Sequence, residues 1–250
     1  MTSLSQDPVF YGTLASLGSL TGAGLTVQAR SWLARHLGHI LAFAAGTLLS
    51  VACLDLVPEA IEMTGLTRAL GLLLLGMLGF HVLESRLHAR HGDDPVSPGG
   101  EASGHQQAMA LMAIAGMGFH AFTDGLVLGL GFEVSAATGL STTVGLLAHA
   151  LPQGIALASV LLHARLRPWQ AVGFAAAIAA MIPIGTLVAH VLPSGLSTAW
   201  LGGMLAIAAS SFVYVGAVGL LPESLRTKGH PLAFAAGLGL VALVLSLHHG

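Results

Sequence analysis

Eight apolar runs divide this chain, at about residues 9–28, 37–57, 66–86, 107–131, 138–163, 168–191, 199–221 and 231–248. Each is close to the roughly 20 residues a helix needs to cross the hydrocarbon core of a bilayer. Few folds accept such runs, because lipid offers the backbone no hydrogen bonds and only helices or closed barrels satisfy it internally. The runs are continuous rather than alternating, which argues against a barrel. Composition agrees: the chain is 54% hydrophobic and only 8% charged, where a soluble domain carries about a quarter charged residues. The sequence therefore predicts an all-α integral membrane protein, one transmembrane domain over residues 1–250 with eight helices. The 33 glycines suit helices that approach closely through small side chains. Cys53 is the single cysteine, which excludes an intrachain disulfide framework and any multi-cysteine zinc site. A net charge of −2 gives no reason to expect nucleic acid. No basic stretch precedes the first run, so no cleavable signal peptide is expected.

Basic residues set the orientation. Arg30 and Arg35, Arg86 and Arg90, Arg165 and Arg167, and Arg226 and Lys228 fall in alternate loops, eight of the nine Lys and Arg; Arg68 falls on the other side. Positive residues stay cytoplasmic, so both termini are expected outside a cell (inner or plasma) membrane. The long loop at 87–106 is then cytoplasmic. It holds His88, His91, Asp93, Asp94, Glu101 and His105 among Gly, Pro and Ser. That composition fits a flexible, solvated linker or a weak metal-capturing tract.

Polar groups inside the runs carry the chemistry. His120-Ala121-Phe122-Thr123-Asp124-Gly125 lies in the middle of the fourth run, and His149-Ala150-Leu151-Pro152-Gln153-Gly154 in the middle of the fifth. Residues i and i+4 share one helical face, about 6 Å apart along the axis. Two antiparallel helices with such faces can converge two imidazoles, one carboxylate and one amide oxygen. Imidazole suits Zn²⁺, Fe²⁺, Co²⁺ or Ni²⁺, and all tolerate oxygen. With neutral histidines the donor charge is only −1, which fits transient binding better than a permanent structural ion. A lone His or Gln on such a helix is commonly a helix–helix hydrogen bonder. An aspartate at the bilayer centre costs about 2.5–3.5 kcal/mol on insertion scales, so Asp124 needs a partner. Pro152 and Pro183 add kinks that free the carbonyls of Ala148 and Ala179. Those carbonyls either line a cavity or only shape packing.

These motifs resemble the ZIP (Zrt/Irt-like) family of divalent-metal transporters, of the bacterial type. That family carries H-N-x-P-[DE]-G in its fourth span and H-E-x-P-[EQ]-G in its fifth; here they stand as HAFTDG and HALPQG. The similarity extends to GTLLSVACLDLVPEA at 46–60 and SFVYVGAVGLLPES at 211–224. The resemblance implies a primary transport site on His120, Asp124, His149 and Gln153. Relatives that hold a second metal use the residue after each histidine and an acid in the sixth span. Here those positions are Ala121, Ala150 and Ile182, which implies a reduced, single-metal site. Thr123 replaces the family's proline.

DLVPEA (55–60) and GLLPES (219–224) echo each other in spans of opposite direction. Inverted repeats around a mid-membrane site are a transporter architecture. Asp55, Glu59 and Glu223 are candidate residues of the ion's path, Glu59 outside and Glu223 inside, although acids at span ends are also ordinary interfacial residues. The function expected is transport of a divalent transition metal, zinc foremost among Zn²⁺, Fe²⁺, Mn²⁺ and Cd²⁺, into the cytoplasm by alternating access. The chain is not expected to be an enzyme or to hold a cofactor. Its partners are the ion and the bilayer, and a homodimer is compatible with the small residues Gly237 and Gly239. The rival readings are an intramembrane metallohydrolase, and a metal sensor or a proton-coupled carrier of a non-metal solute. The first lacks a free general base, since Asp124 is the only acid in the constellation.

Overall fold

The structure is a computed structural model that describes residues 7–91, 104–191, 197–226 and 231–249. Among these residues there is helix and no strand. In chain order the helices are α1 (Pro8–Gln28), α2 (Arg30–Arg35), α3 (Leu37–Val51), α4 (Val57–Thr64), α5 (Leu66–His91), α6 (Gly104–Val134), α7 (Ala136–His163), α8 (Pro168–Ala179), α9 (Met181–Val191), α10 (Thr198–Val213), α11 (Leu221–Arg226) and α12 (Pro231–His249). His91 closes α5 and Gly104 opens α6, so Asp93, Asp94 and Glu101 lie outside the described residues.

Among the described residues, six helical stretches are long and apolar enough to cross a membrane: Gly38–Thr64, Leu66–Arg86, Met109–Val134, Ala136–His163, Pro168–Val191 and Thr198–Arg226, with a shorter apolar helix at Pro231–Leu243. α1 has the length, 21 residues, but Ser and Thr dilute its apolar character. Ser16, Ser19 and Thr26 are turned to its buried face, where hydroxyls bond to backbone carbonyls. Ser16 Oγ donates to Gly12 O (2.9 Å) and Ala179 O (2.7 Å), and Thr26 Oγ1 to Gly22 O (2.9 Å). Such back-bonding satisfies a hydroxyl away from water. Ala179 O is the carbonyl that Pro183 releases, so the kink between α8 and α9 is taken up by packing on α1.

Two long helices contain a wider, π-helical segment. Ala52–Leu56 joins α3 to α4, and Tyr214–Leu220 joins α10 to α11. Each precedes a proline, Pro58 or Pro222, in the first turn of the next helix. Proline lacks an N–H and its ring clashes with the carbonyl four residues back. The i→i+5 pattern accommodates it: Val57 N donates to Ala52 O and Leu221 N to Gly216 O. The two spans that echo each other in sequence therefore share the same irregularity.

Packing sorts the helices into two bundles. α1 lies along α7, α6 lies along α9, and α6 also packs on α7. In the other bundle α3 lies along α12, and α10 packs on α4 and α5. The bundles meet where α3 faces α7 and α6 faces α10. α7 is the most enclosed span, 71% of its apolar window being buried, whereas α5 has 6% buried and is peripheral.

Candidate metal centre

α6 and α7 meet at their polar hexapeptides because the glycine ending each one permits close approach to a neighbour. A Cβ on Gly125 would collide with the Ile182 carbonyl of α9, and a Cβ on Gly154 with the Ser19 carbonyl of α1. The two helices that carry the hexapeptides are thus clamped by α9 and α1, and their polar faces turn toward each other.

His120 Nε2 lies 3.2 Å from Asp124 Oδ2, one turn along α6. The same oxygen is 3.4 Å from His149 Nε2 of α7 and hydrogen-bonds to it. The two imidazole centroids are 5.7 Å apart. One donor atom from each of His120, Asp124 and His149 falls within 4.8 Å of the other two, a separation that one ion can bridge. All are deeply buried, at 0%, 9% and 7% exposure. Gln153 stands one turn beyond His149 on α7 and is 4% exposed. Both ring nitrogens of His120 and the Gln153 Oε1 atom are buried with no hydrogen-bond partner among the described residues. Buried polar atoms are rarely left so, and His120 Nε2, which faces Asp124 Oδ2, is placed to serve as a cation ligand.

The site has a mouth. A cavity of about 610 Å³ is lined by Asp55, Glu59, Glu62, Asp124 and His149, with Thr138, Ser141 and Thr142 on the α7 wall. Its lining runs toward the α4–α5 turn and the α6–α7 turn. The first is made by Gly65, whose φ of 83° is the left-handed conformation glycine adopts without strain. Asp124 and His149 stand at the cavity floor, while His120 and Gln153 are not among its lining residues. Asp55, in the π-helical segment, comes within 3.9 Å of His149 Nδ1. Glu223 does not join this group: its carboxylate lies 3.8 Å from His163 Nε2 and 3.9 Å from Arg226. Glu62 escaped the sequence reading. It lies three residues beyond Glu59 on α4, a helical spacing that places both on one face.

Ala121, Ala150 and Ile182 are buried apolar residues without a donor atom. Thr123 keeps α6 regular where a proline would interrupt it, its hydroxyl donating to Phe119 O at 2.8 Å.

A helical membrane protein with an intramembrane His–Asp–His cluster opening into an acidic cavity is of the class expected for a cation carrier. A family model described as ZIP Zinc transporter matches residues 90–245, more than half of the chain. Zinc transporter ZIP13 of Pongo abelii is 28% identical over 224 residues, 83% of this chain and 63% of that protein. Zinc transporter ZIP10 of Mus musculus is 35% identical over 123 residues, 48% of this chain and 14% of that protein. Human zinc transporter ZIP4 is 35% identical over 120 residues, 48% of this chain and 18% of that protein. The chain thus spans less than two thirds of the length of these relatives. It belongs to the ZIP family.

Proposed function

We propose that this chain moves a divalent transition metal, zinc foremost, across a cell membrane into the cytoplasm. The observation that supports this most directly is the buried His120–Asp124–His149 cluster at the floor of an acid-lined cavity. His120, Asp124, His149 and Gln153 are the ligands in this reading. Asp55 and Glu59 guide the ion inward, joined by Glu62, and Glu223 serves the opposite face. In this reading the basic loops are cytoplasmic, the cavity faces outside, both termini lie outside, and the chain is one domain of eight spans.

The ion meets Asp124 and His149 first, because only those two ligands line the cavity. It then displaces the His149–Asp124 hydrogen bond and draws in His120 and Gln153. All four ligands sit on α6 and α7, within one bundle. Displacement of that bundle against the other carries the site as a unit, which supports alternating access. Apolar Ala121, Ala150 and Ile182 support one ion per chain. Inverted π-helical segments beside Pro58 and Pro222 support the inverted repeat.

The test is uptake of radioactive zinc by proteoliposomes holding the full chain. Wild-type protein accumulates the ion, and His120→Ala with His149→Ala reduces uptake to the level of empty vesicles. Unchanged uptake by that double variant overturns the assignment. Metal analysis of purified protein is expected to give one ion per chain; two would refute the single-metal reading.

A further inference from the structure

Metal-binding histidines are ordinarily oriented by a hydrogen bond from the second ring nitrogen to a carboxylate, carbonyl or water. His120 Nε2 faces the Asp124 carboxylate, and Nδ1 has no such bond among the described residues. What it does have is an aromatic neighbour. The Phe212 ring meets the imidazole edge to face, with centroids 4.6 Å apart and planes at 67°. This is the preferred geometry of an aromatic pair. Phe212 is 1% exposed, so the contact is fully enclosed.

Phe212 comes from the other bundle, on α10, at the residue before the last of that helix. Its stem is held firmly. α10 packs on α4 and α5. Two residues on, Tyr214 donates a 2.5 Å hydrogen bond to Glu84 Oε2 of α5 and lies 3.3 Å from His81 Nδ1. The π-helical segment begins at this anchored Tyr214.

We infer that Phe212 is a positioning residue of the transport site: it sets the orientation of the His120 imidazole, and does so only while α6 and α10 are in the arrangement seen here. This rests on the reading of His120 as a ligand. A phenyl ring has no hydrogen-bonding atom, so it orients the imidazole without occupying either nitrogen. It also leaves Nδ1, the nitrogen turned away from Asp124, without an outer carboxylate to raise ligand basicity, which favours release. Because the support stands on the opposite bundle, relative movement of the bundles withdraws it. His120 then loses its fixed orientation as the site leaves the cavity.

Co²⁺ binding to the purified full-length protein in detergent tests this, read by its d–d absorption and by competition with Zn²⁺. Phe212→Leu keeps an apolar side chain in the pocket and removes the ring. It is expected to weaken Co²⁺ binding about tenfold, at the low end of the effect of losing a histidine's outer partner, and to alter the d–d band. In a His120→Ala background the same substitution is expected to change neither, since the two residues act as one unit. Equal loss of affinity in both backgrounds means a general structural role and overturns the inference. So does an unchanged affinity and spectrum in Phe212→Leu alone. Phe212→Met replaces the leucine variant if that protein does not purify as a monodisperse species. Wild-type protein that binds no Co²⁺ refutes the metal site itself, a failure distinguishable from the others.

Discussion

Gly125 and Gly154 hold the site together through what they lack. Each faces a carbonyl of a neighbouring helix at a distance that leaves no room for a methyl group. Gly154→Ala is expected to push α1 from α7 and destabilise the protein by about 1–3 kcal/mol, the usual cost of overpacking. Gly173→Ala, where a Cβ would meet nothing within 4 Å, is expected to leave the melting temperature unchanged or slightly raised. Thermal melts in detergent compare the two. Gln153→Glu would add a second carboxylate to a donor set with one. Tighter Zn²⁺ binding and slower uptake are expected, because the extra charge favours the bound ion. Imidazoles bind metal only when neutral, so Zn²⁺ affinity is expected to fall as pH falls through the histidine titration. Competitive titrations at stepped pH would show this; a flat profile would argue against histidine ligands.

Prolines at the element scale do more than kink. Pro58 and Pro222 each follow a π-helical segment, and the first of these segments carries Asp55 to within 3.9 Å of His149. Pro58→Ala restores an N–H and removes the clash, so the segment is expected to tighten to α-helix. A change of one residue in register turns a side chain by about 100°, which moves Asp55 away from His149. The expected outcome is a folded protein whose zinc uptake has a raised KM; an unchanged KM would show that the widened turn does not place Asp55. The helices themselves were legible, since continuous apolar runs of membrane length leave the chain little choice. The π-helical segments were not. The Pro-Glu echo marked where the spans are irregular, but whether a proline is met by a kink, a break or a wider turn depends on what packs beside it. Pro183 shows the contrast: there the chain breaks between α8 and α9, and Ser16 of α1 caps the released carbonyl.

On the scale of the whole molecule, the acids of the cavity are expected to act as a field rather than as ligands. Asp55, Glu59 and Glu62 line the same cavity, and like charges in a cleft with low-dielectric walls concentrate cations. Glu59→Gln with Glu62→Gln is expected to raise the KM for zinc uptake several-fold at low ionic strength, and less at high salt, where screening shortens the reach of exposed charge. Glu223→Gln, outside this cavity, is expected to leave that salt dependence unchanged. Sequence alone determined the membrane-spanning helical class, the alternation of basic loops, and the placement of His120 with Asp124, and of His149 with Gln153, on one helix face each, because hydropathy and helical spacing are local properties of the chain. Tertiary structure decided which polar groups meet. It brought Asp124 between the two histidines, recruited Asp55 and Glu62, kept Glu223 apart with His163 and Arg226, and set Phe212 against His120. Those contacts join residues far apart in the chain, and their partners follow from how two bundles pack, which no local pattern encodes.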